Sequence, residues 1–294
     1  MELSLRFQYQ SFAKFNIYLG VHAKRSDGYH ELDTAIQTID LCDELEFEPL
    51  ENSCLKVESN GDGVPSGSEN LVWKALALVQ EQFHPPGGMA VSIRKHIPAQ
   101  AGLGGGSSNA ACAICVANTL WNLRLDQTQL ERVGAMVGSD VPFFIQGGTQ
   151  RCQGRGEILT NLTPMIDSDW IVVKAPFSLS TRSVFNRVRS ILTPRNATIS
   201  IILESLAKRN LLEVVDNSFN DLEGPAGELQ PQLTEVWQWM LRKGLIGVRL
   251  AGSGSACIGL CPNAEMTDHI LEDGRMQGWA VHHVRPVARG WMKR

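Results

Sequence analysis

The sequence has no hydrophobic run long enough to cross a membrane and no excess of basic residues. No apolar stretch approaches the ~20 residues that a membrane span needs, and the polar start from Met1 to Phe7 does not resemble a signal peptide. The formal net charge is -4, which argues against the basic stripe of a nucleic-acid-binding surface. We therefore expect a cytoplasmic protein without a membrane, nucleic-acid or obligate protein partner, or a plastid protein if a transit peptide has been removed.

Cysteine residues do not occur in a pattern that predicts disulfides or a metal site. There are seven, an odd number scattered along the chain, so a disulfide framework is not expected. Cys112 and Cys115 form a C-x-x-C pair, but they lie in an alanine-rich segment without a histidine or a second pair at zinc spacing. We interpret both as small buried hydrophobic residues.

Two standard phosphate-binding motifs are also missing. The motif G-x-x-x-x-G-K-[ST] fails because no lysine follows the glycines, and G-x-G-x-x-G fails because Ser107 stands where the third glycine is needed. The chain instead has four glycines within five positions, followed by two serines and Asn109. Glycine tolerates positive φ, so such a run can curl its N–H groups around an anion, and a polyphosphate is the ligand that this favours.

The surroundings of this glycine-rich run decide between an anion-binding loop and a merely flexible one. Alternating apolar residues predict a strand over Met89 to Ile97, and an alanine-rich helix is predicted from Ala110 to about Leu123. Ser107 or Ser108 fits the N-cap of that helix, whose free N–H groups would face the same anion. A strand, a glycine loop and a helix in this order favour phosphate binding.

The length of 294 residues exceeds the size at which single cores stop growing, so we expect two domains. The pattern after Thr160 is β-α-β-β-α-β with extra helices in the first crossover, which is a split βαβ unit. Its elements are strand Trp170 to Lys174, a helix from Ser180 or Thr181 to about Leu192, helical residues 201–215, a helix from Pro231 to Gly244 with Leu233, Val236, Trp237, Met240 and Leu241 inward, strands Val248 to Ala251 and Ala256 to Leu260, helix Ala264 to Met276 and strand Trp279 to Pro286.

Polar residues at three places in the first half of the chain can each be interpreted as structural or as functional. Lys14 and Asn16 share one face of a predicted strand, where a lysine is ordinarily solvated. Tyr29 and His30 end a polar turn, either as a ligand-stacking pair or as the first residues of a strand. Asp140 precedes Val-Pro at a corner, either as a turn residue or as a carboxylate that faces the phosphates.

Three separated motifs together resemble one family, the superfamily of galactokinase, homoserine kinase, mevalonate kinase and phosphomevalonate kinase. The run Pro98 to Ala111 resembles its phosphate loop, and Leu250 to Ala256 resembles its second glycine motif. Within the superfamily, Ala13 to Asn16 together with Arg25 to His30 is similar to the branch that phosphorylates a cytidine diphosphate-linked methylerythritol. The resemblance extends from Lys14 to Cys261.

This resemblance implies an α+β small-molecule kinase of two domains with its active site in the cleft between them. Residues 1–160 would form an ATP-binding domain like ribosomal protein S5, and residues 161–294 a ferredoxin-like domain on the substrate side. The implied activity is direct in-line transfer from ATP, with Mg²⁺, to the tertiary 2-hydroxyl group of the methylerythritol unit, a step of non-mevalonate isoprenoid synthesis.

The resemblance also implies roles for individual residues. Asp140 would accept the hydroxyl proton while Lys14 stabilises charge. The implied ATP site comprises Pro98, Ala99, Gln100, Ala101, Gly102, Leu103, Gly104, Gly105, Gly106, Ser107, Ser108, Asn109 and Asn70, with Ser107 also the candidate metal ligand. The implied substrate site comprises Asn16, Tyr29, His30, Thr181, Phe185, Gly252, Ser253 and Gly254.

Two alternatives remain at this stage. One is another kinase, or an ATP-dependent decarboxylase, of the same superfamily; Tyr29 and His30 with Phe185 argue against it, because a small alcohol does not need a cytosine clamp. The other is a binding module that keeps the fold without turnover, against which the presence of both Lys14 and Asp140 argues.

Overall fold

The computed structural model describes residues 5–61, 63–188 and 199–294. Within these ranges the chain forms twelve strands and ten α-helices. The strands are β1 (Phe7–Lys24), β2 (His30–Leu50), β3 (Leu55–Ser59), β4 (Gly88–Arg94), β5 (Thr149–Gly154), β6 (Ile158–Asn161), β7 (Trp170–Lys174), β8 (Phe219–Asn220), β9 (Ile246–Leu250), β10 (Cys257–Leu260), β11 (Ala280–Val284) and β12 (Trp291–Lys293). The helices are α1 (Leu71–Phe83), α2 (Gly105–Leu120), α3 (Gln127–Val137), α4 (Val141–Gln146), α5 (Thr181–Phe185), α6 (Ile199–Ala207), α7 (Leu211–Asp216), α8 (Glu223–Leu229), α9 (Leu233–Arg242) and α10 (Thr267–Met276).

The first sheet is built on the long antiparallel pair β1 and β2, whose register runs from Phe7 opposite Phe47 to Lys24 opposite His30. Its order is β12-β1-β2-β4-β3, with β5 also on β2, β6 on β5 and β8 on β1. Helices α1 to α4 contribute to the same hydrophobic core as β2 and β4. Helix α2 is buried on all sides from Ser108 to Ala117, which its alanine-rich sequence permits because small side chains allow close approach.

The second sheet has the order β11-β7-β10-β9, and all three of its pairings are antiparallel. This is the arrangement of a split βαβ unit, so the expected architecture is confirmed. Residues of α9 and α10 pack on this sheet in a core that contains Val236, Met240 and Ile270.

A third apolar cluster joins the two sheets. It contains Ala13, Phe15 and Ile17 of β1 together with Trp170 and Ile258 of the second sheet, and the rings of Phe15 and Trp170 are 4.9 Å apart. Strands β8 and β12 come from the second half of the chain and pair with β1. Both strands lie after residue 160 in the sequence and yet belong to the first sheet. The division of the chain into two domains at residue 160 therefore stays a prediction.

Several element boundaries differ from the predicted ones. Helix α2 begins at Gly105 after Gly104, whose φ of +73° is left-handed, so Ser107 and Ser108 lie inside the first turn and neither is the cap. It also ends three residues earlier than predicted. In α9, Trp239 is buried while Leu241, which was predicted to face inward, is exposed. Two positions that are two residues apart in a helix point in directions about 200° apart, so they cannot both face the sheet.

Two further differences concern the ends of the second half. Helix α5 ends at Phe185, and the predicted end at Leu192 lies outside the described residues. Strand β12 was not predicted, because a three-residue strand has no periodicity to detect. Among the described residues, no helix combines the length and apolar character that crossing a membrane requires.

Candidate active site

A cleft of about 1170 Å³ lies where the two sheets meet. Its walls include β1, β2, both glycine-rich loops, the corner before α4 and the short helix α5. The residues named from the sequence therefore converge, with two exceptions. Ser108 and Gly254 do not line the cleft: Ser108 is fully buried in α2, and Gly254 faces the side chains of Leu250 and Leu179.

Lys14 of β1 and Asp140 of the corner before α4 come together in this cleft. Lys14 is 4% exposed, so the interpretation of a solvated strand lysine is wrong. Its Nζ lies 3.8 Å from Asp140 Oδ2 and donates to Asn16 Oδ1 at 2.9 Å. Asp140 precedes Pro142 at the start of α4, and its side chain is 43% exposed, so the carboxylate is open to a ligand while the ammonium is held from behind.

The two glycine-rich loops touch each other backbone to backbone beside Lys14. Gly102 has a φ of +76°, and a Cβ there would lie 1.8 Å from the carbonyl oxygen of Ala251. A Cβ on Gly252 would lie 3.0 Å from Lys14 Nζ. The N–H of Ala256 donates to the carbonyl of Ala101 at 3.1 Å. Glycine is required here for this close approach as well as for its backbone conformation.

The start of α2 opens into the cleft through Gly104, Gly105, Gly106 and Ser107. Backbone N–H groups at a helix N-terminus favour an anion. The ammonium of Lys95, which is paired with Asp43, lies 3.2 Å from where a Cβ on Gly105 would be. Asn70, which caps α1 by accepting from the N–H of Val72 at 2.9 Å, lines the same end of the cleft.

A buried aspartate behind this loop was missed from the sequence. Asp43 is fully buried and contacts the ammonium of Lys95. Its carboxylate accepts from the N–H groups of His96 and Ile97 at 2.8 and 2.9 Å, and from Asn109 Nδ2 at 2.9 Å. The side chain of Asn109, which was predicted to contact ATP, is therefore part of this hydrogen-bond network. Asp43 looks like any polar residue of a half-buried strand, so the sequence carries no signal for it.

Another part of the cleft wall is formed by aromatic rings. The rings of His30 and Phe185 are 5.7 Å apart and 33° from parallel. Burial, with a smaller contribution from the charge of Lys24, lowers the pKa of His30, so the imidazole is neutral at pH 7. Tyr29 is 51% exposed and lies under the guanidinium of Arg155 at 5.0 Å. Thr181 Oγ1 and Ser253 Oγ are hydrogen-bonded at 2.9 Å.

The described residues contain no group of three or more His, Cys, Asp or Glu side chains that could hold a metal ion. Ser107 and Asp140 nevertheless place oxygen atoms on the wall of the cleft. Mg²⁺ usually keeps several waters and is held by substrate phosphates with one or two protein ligands. These donors fit such an ion.

Models of two protein families match the chain: the GHMP kinases N terminal domain over residues 70–148 and the GHMP kinases C terminal domain over residues 202–272. Among curated proteins, a 4-diphosphocytidyl-2-C-methyl-D-erythritol kinase of Pelotomaculum thermopropionicum is 35% identical over 86% of this chain and 88% of its own length. One of Trichormus variabilis is 35% identical over 90% and 89%.

Solved structures agree with these matches. The crystal structure of a 4-(cytidine 5'-diphospho)-2C-methyl-D-erythritol kinase is similar with a TM-score of 0.80 and 34% identity, covering 95% of this chain and 98% of that one. A homoserine kinase from Cytophaga hutchinsonii has a TM-score of 0.79 at 14% identity, covering 100% and 99%. The latter likeness shows the fold alone.

Proposed function

This chain belongs to the 4-diphosphocytidyl-2-C-methyl-D-erythritol kinases of the GHMP superfamily, and we propose that it phosphorylates the tertiary 2-hydroxyl group of that cytidylated alcohol with ATP. As a member of this family it is a phosphotransferase. The substrate and the isoprenoid route to which it belongs are carried over from the relatives' names.

The observation that carries the proposal is the pairing of Lys14 with Asp140 where the two glycine loops meet. In the proposed step Asp140 accepts the proton of the substrate hydroxyl, whose oxygen forms a bond to the γ-phosphorus as the bond from phosphorus to the ADP oxygen breaks. Lys14 offsets the developing negative charge. Phosphoryl transfer depends chiefly on such alignment and charge stabilisation.

The phosphates of ATP are proposed to lie on the loop from Pro98 to Ser107. Its glycines and the start of α2 present N–H groups to the cleft, and the paired side chains of Lys95 and Asp43 support the loop from behind. A bound Mg²⁺ would neutralise phosphate charge, with Ser107 the proposed protein ligand.

The cytosine end of the alcohol is proposed to bind against the part of the cleft wall formed by Tyr29, His30 and Phe185. The rings of His30 and Phe185 are 5.7 Å apart and pack on each other, so a base would contact their cleft-facing side. A neutral His30 can both donate and accept a hydrogen bond, as recognition of a base edge requires, and Phe185 offers a stacking face. Asn16, Thr181 and Ser253 also line the cleft. The ring pair favours a pyrimidine-bearing substrate over the small alcohols of other superfamily kinases.

An ADP-release assay with three acceptors tests this proposal. We expect turnover with 4-diphosphocytidyl-2-C-methyl-D-erythritol, and much lower turnover with mevalonate or homoserine at equal concentrations. Omitting Mg²⁺ and adding a chelator is expected to abolish release. Preference for either small alcohol would contradict the substrate assignment, and ATP binding without turnover of any acceptor would favour a binding module.

A further inference from the structure

Four consecutive residues, Asn220 to Glu223, connect the strand that carries Lys14 to the second glycine-rich loop. On one side, β8 pairs in parallel with β1, with Leu19 opposite Asn220. Asp221 reinforces this contact: its N–H donates to the carbonyl of Leu19 at 3.0 Å, and its Oδ2 accepts from the N–H of Val21 at 2.8 Å. The segment is therefore fixed to β1 a few residues beyond Lys14 and Asn16.

On the other side, Asn220 holds the glycine loop itself. Its Nδ2 donates to the carbonyl oxygens of Leu250 and Gly252, at 2.8 and 2.7 Å. Its Oδ1 accepts from the N–H of Leu222 at 2.9 Å. The side chain is 2% exposed, and both donor hydrogens and the acceptor are in use, so its orientation is fully determined.

The loop held in this way lies against the proposed reacting groups. Gly252 is the residue whose added Cβ would meet Lys14 Nζ, and Ser253 bonds Thr181 of the opposite wall. Glu223 Oε1 accepts from the N–H of Leu250 at 3.0 Å, so both backbone groups of Leu250 are fixed by this segment. Asn220 does not itself line the cleft.

We propose that Asn220 is a positioning residue for phosphoryl transfer, setting the distance between the Gly252–Ser253 loop and Lys14. This role rests on the proposed function. The physical reason is that transfer requires the reacting groups to be aligned, and displacement by about 1 Å can reduce the rate by ~10²-fold. If the Gly252–Ser253 loop moved away from Lys14, the substrate and the γ-phosphate would be imperfectly aligned. Every group that contacts them would still be present.

Asn220→Asp tests the role with little change in shape. The substitution replaces the donating amide with a carboxylate oxygen that faces two carbonyls, while the other oxygen can still accept from Leu222. Asn217→Asp is the matched control, since Asn217 Nδ2 also donates to a backbone carbonyl, that of Glu213 at 2.8 Å, at the end of α7 away from the cleft.

We expect Asn220→Asp to lower kcat at least ~10-fold, with the KM for ATP within about twofold of wild type because the phosphate loop keeps its own support. Asn217→Asp is expected to change neither constant. A merely structural role would lower the melting temperature of both variants and leave kcat of the folded protein unchanged. Wild-type kcat in Asn220→Asp would overturn the proposal.

Hydrogen exchange supplies a second measurement that does not depend on activity. At a temperature well below unfolding, we expect faster amide exchange in peptides covering residues 250–256 of Asn220→Asp, but not of Asn217→Asp. Equal exchange in this loop would refute the positioning role. If the wild-type protein phosphorylates none of the acceptors, the proposed function fails, and the exchange result still decides whether Asn220 holds the loop.

Discussion

A buried ammonium group is costly unless it is paired, and Lys14 meets this requirement through two oxygen atoms from different parts of the chain. Asn16 accepts its hydrogen bond at 2.9 Å and is itself oriented by Thr34, to which it donates at 2.8 Å. Asp140 approaches from the corner before α4. The position of the Lys14 ammonium, which a phosphoryl group would contact, is therefore fixed before any ligand binds.

Asp140→Asn is expected to lower kcat at least ~10²-fold, because an amide cannot accept the hydroxyl proton. Binding of both substrates should be retained, since the amide has nearly the same shape. Turnover is measured by ADP release and binding by titration calorimetry. Asp126→Asn is the control, because Asp126 caps α3 outside the cleft and asparagine is an equally good cap. Unchanged turnover in Asp140→Asn would remove Asp140 from the mechanism.

Phe185→Ala is expected to weaken binding of the cytidylated substrate by ~1–3 kcal/mol, the scale of base stacking on an aromatic ring. The affinity for ATP should not change, because Phe185 is not part of the loop from Pro98 to Ser107 that is proposed to hold the phosphates. Calorimetry of both ligands measures this. Phe177→Ala serves as the control, since Phe177 packs in the same core but does not line the cleft. Equal loss in both variants would argue against stacking.

Glu223 makes stability depend on pH. Burial raises the pKa of this carboxyl from 4.5 to about 7, although the Leu250 N–H and the charge of Arg249 oppose the shift. Because the pKa is higher in the folded state than in the unfolded state, the protonated Glu223 carboxyl contributes to the free energy of unfolding. This contribution is fully present below pH 4.5 and is lost as the pH rises through about 7.

Glu223→Gln isolates this contribution because the amide oxygen can still accept from Leu250. Between pH 5 and pH 8, the free energy of unfolding of the wild-type protein should fall relative to that of the variant. Urea denaturation at several pH values measures the difference. Parallel profiles for the two proteins would show that Glu223 does not titrate in this range.

At the scale of elements, the two glycine-rich loops act as one unit because Gly102 lies in contact with Ala251. The order of strand, loop and helix could be predicted for each loop separately. Their contact could not, since almost 150 residues of sequence separate the two loops and nothing local couples them. The hydrogen-bond network behind the first loop, formed by Lys95, Asp43 and Asn109, could not be predicted for the same reason.

Gly102→Ala is expected to destabilise the protein by about 1–3 kcal/mol more than Gly278→Ala. Both glycines have positive φ, +76° and +75°, so both substitutions carry the same backbone strain. A Cβ at position 278 meets nothing within 4 Å, whereas one at 102 overlaps the Ala251 carbonyl. Chemical denaturation compares the two variants, and equal losses would show that the loops can separate without cost.

At the scale of the whole molecule, the end of the chain completes the sheet with which it begins. Strand β12 pairs with β1 through Tyr9 opposite Lys293 and Ser11 opposite Trp291. The indole of Trp291 lies 5.9 Å from the ring of Tyr9 and donates to the carbonyl of Ile145 at 3.1 Å. The first sheet is thus incomplete without the last residues.

A chain that ends at Gly290 is expected to melt about 5–10 °C lower than the full chain, from loss of a strand pairing and a packed indole. A chain that ends at Lys293 is the control. It loses Arg294, whose exposed ion pair with Glu44 contributes at most ~1 kcal/mol and whose N–H donates to the carbonyl of Gln8 at 2.9 Å, while the paired residues of β12 are kept. Calorimetry measures both, and similar melting temperatures would show that β12 is dispensable.

The sequence by itself determined what depends on near neighbours: the strand and helix periodicities, the glycine runs, the order of the second sheet's elements and the motifs that identify the family. The tertiary structure alone decided that Lys14 is buried against Asp140, that Ser108 is enclosed in α2, that β8 and β12 join β1, and that Asn220 holds the second loop. Periodicity and turn chemistry act over a few residues, whereas burial and pairing depend on which distant segments the folded chain brings into contact.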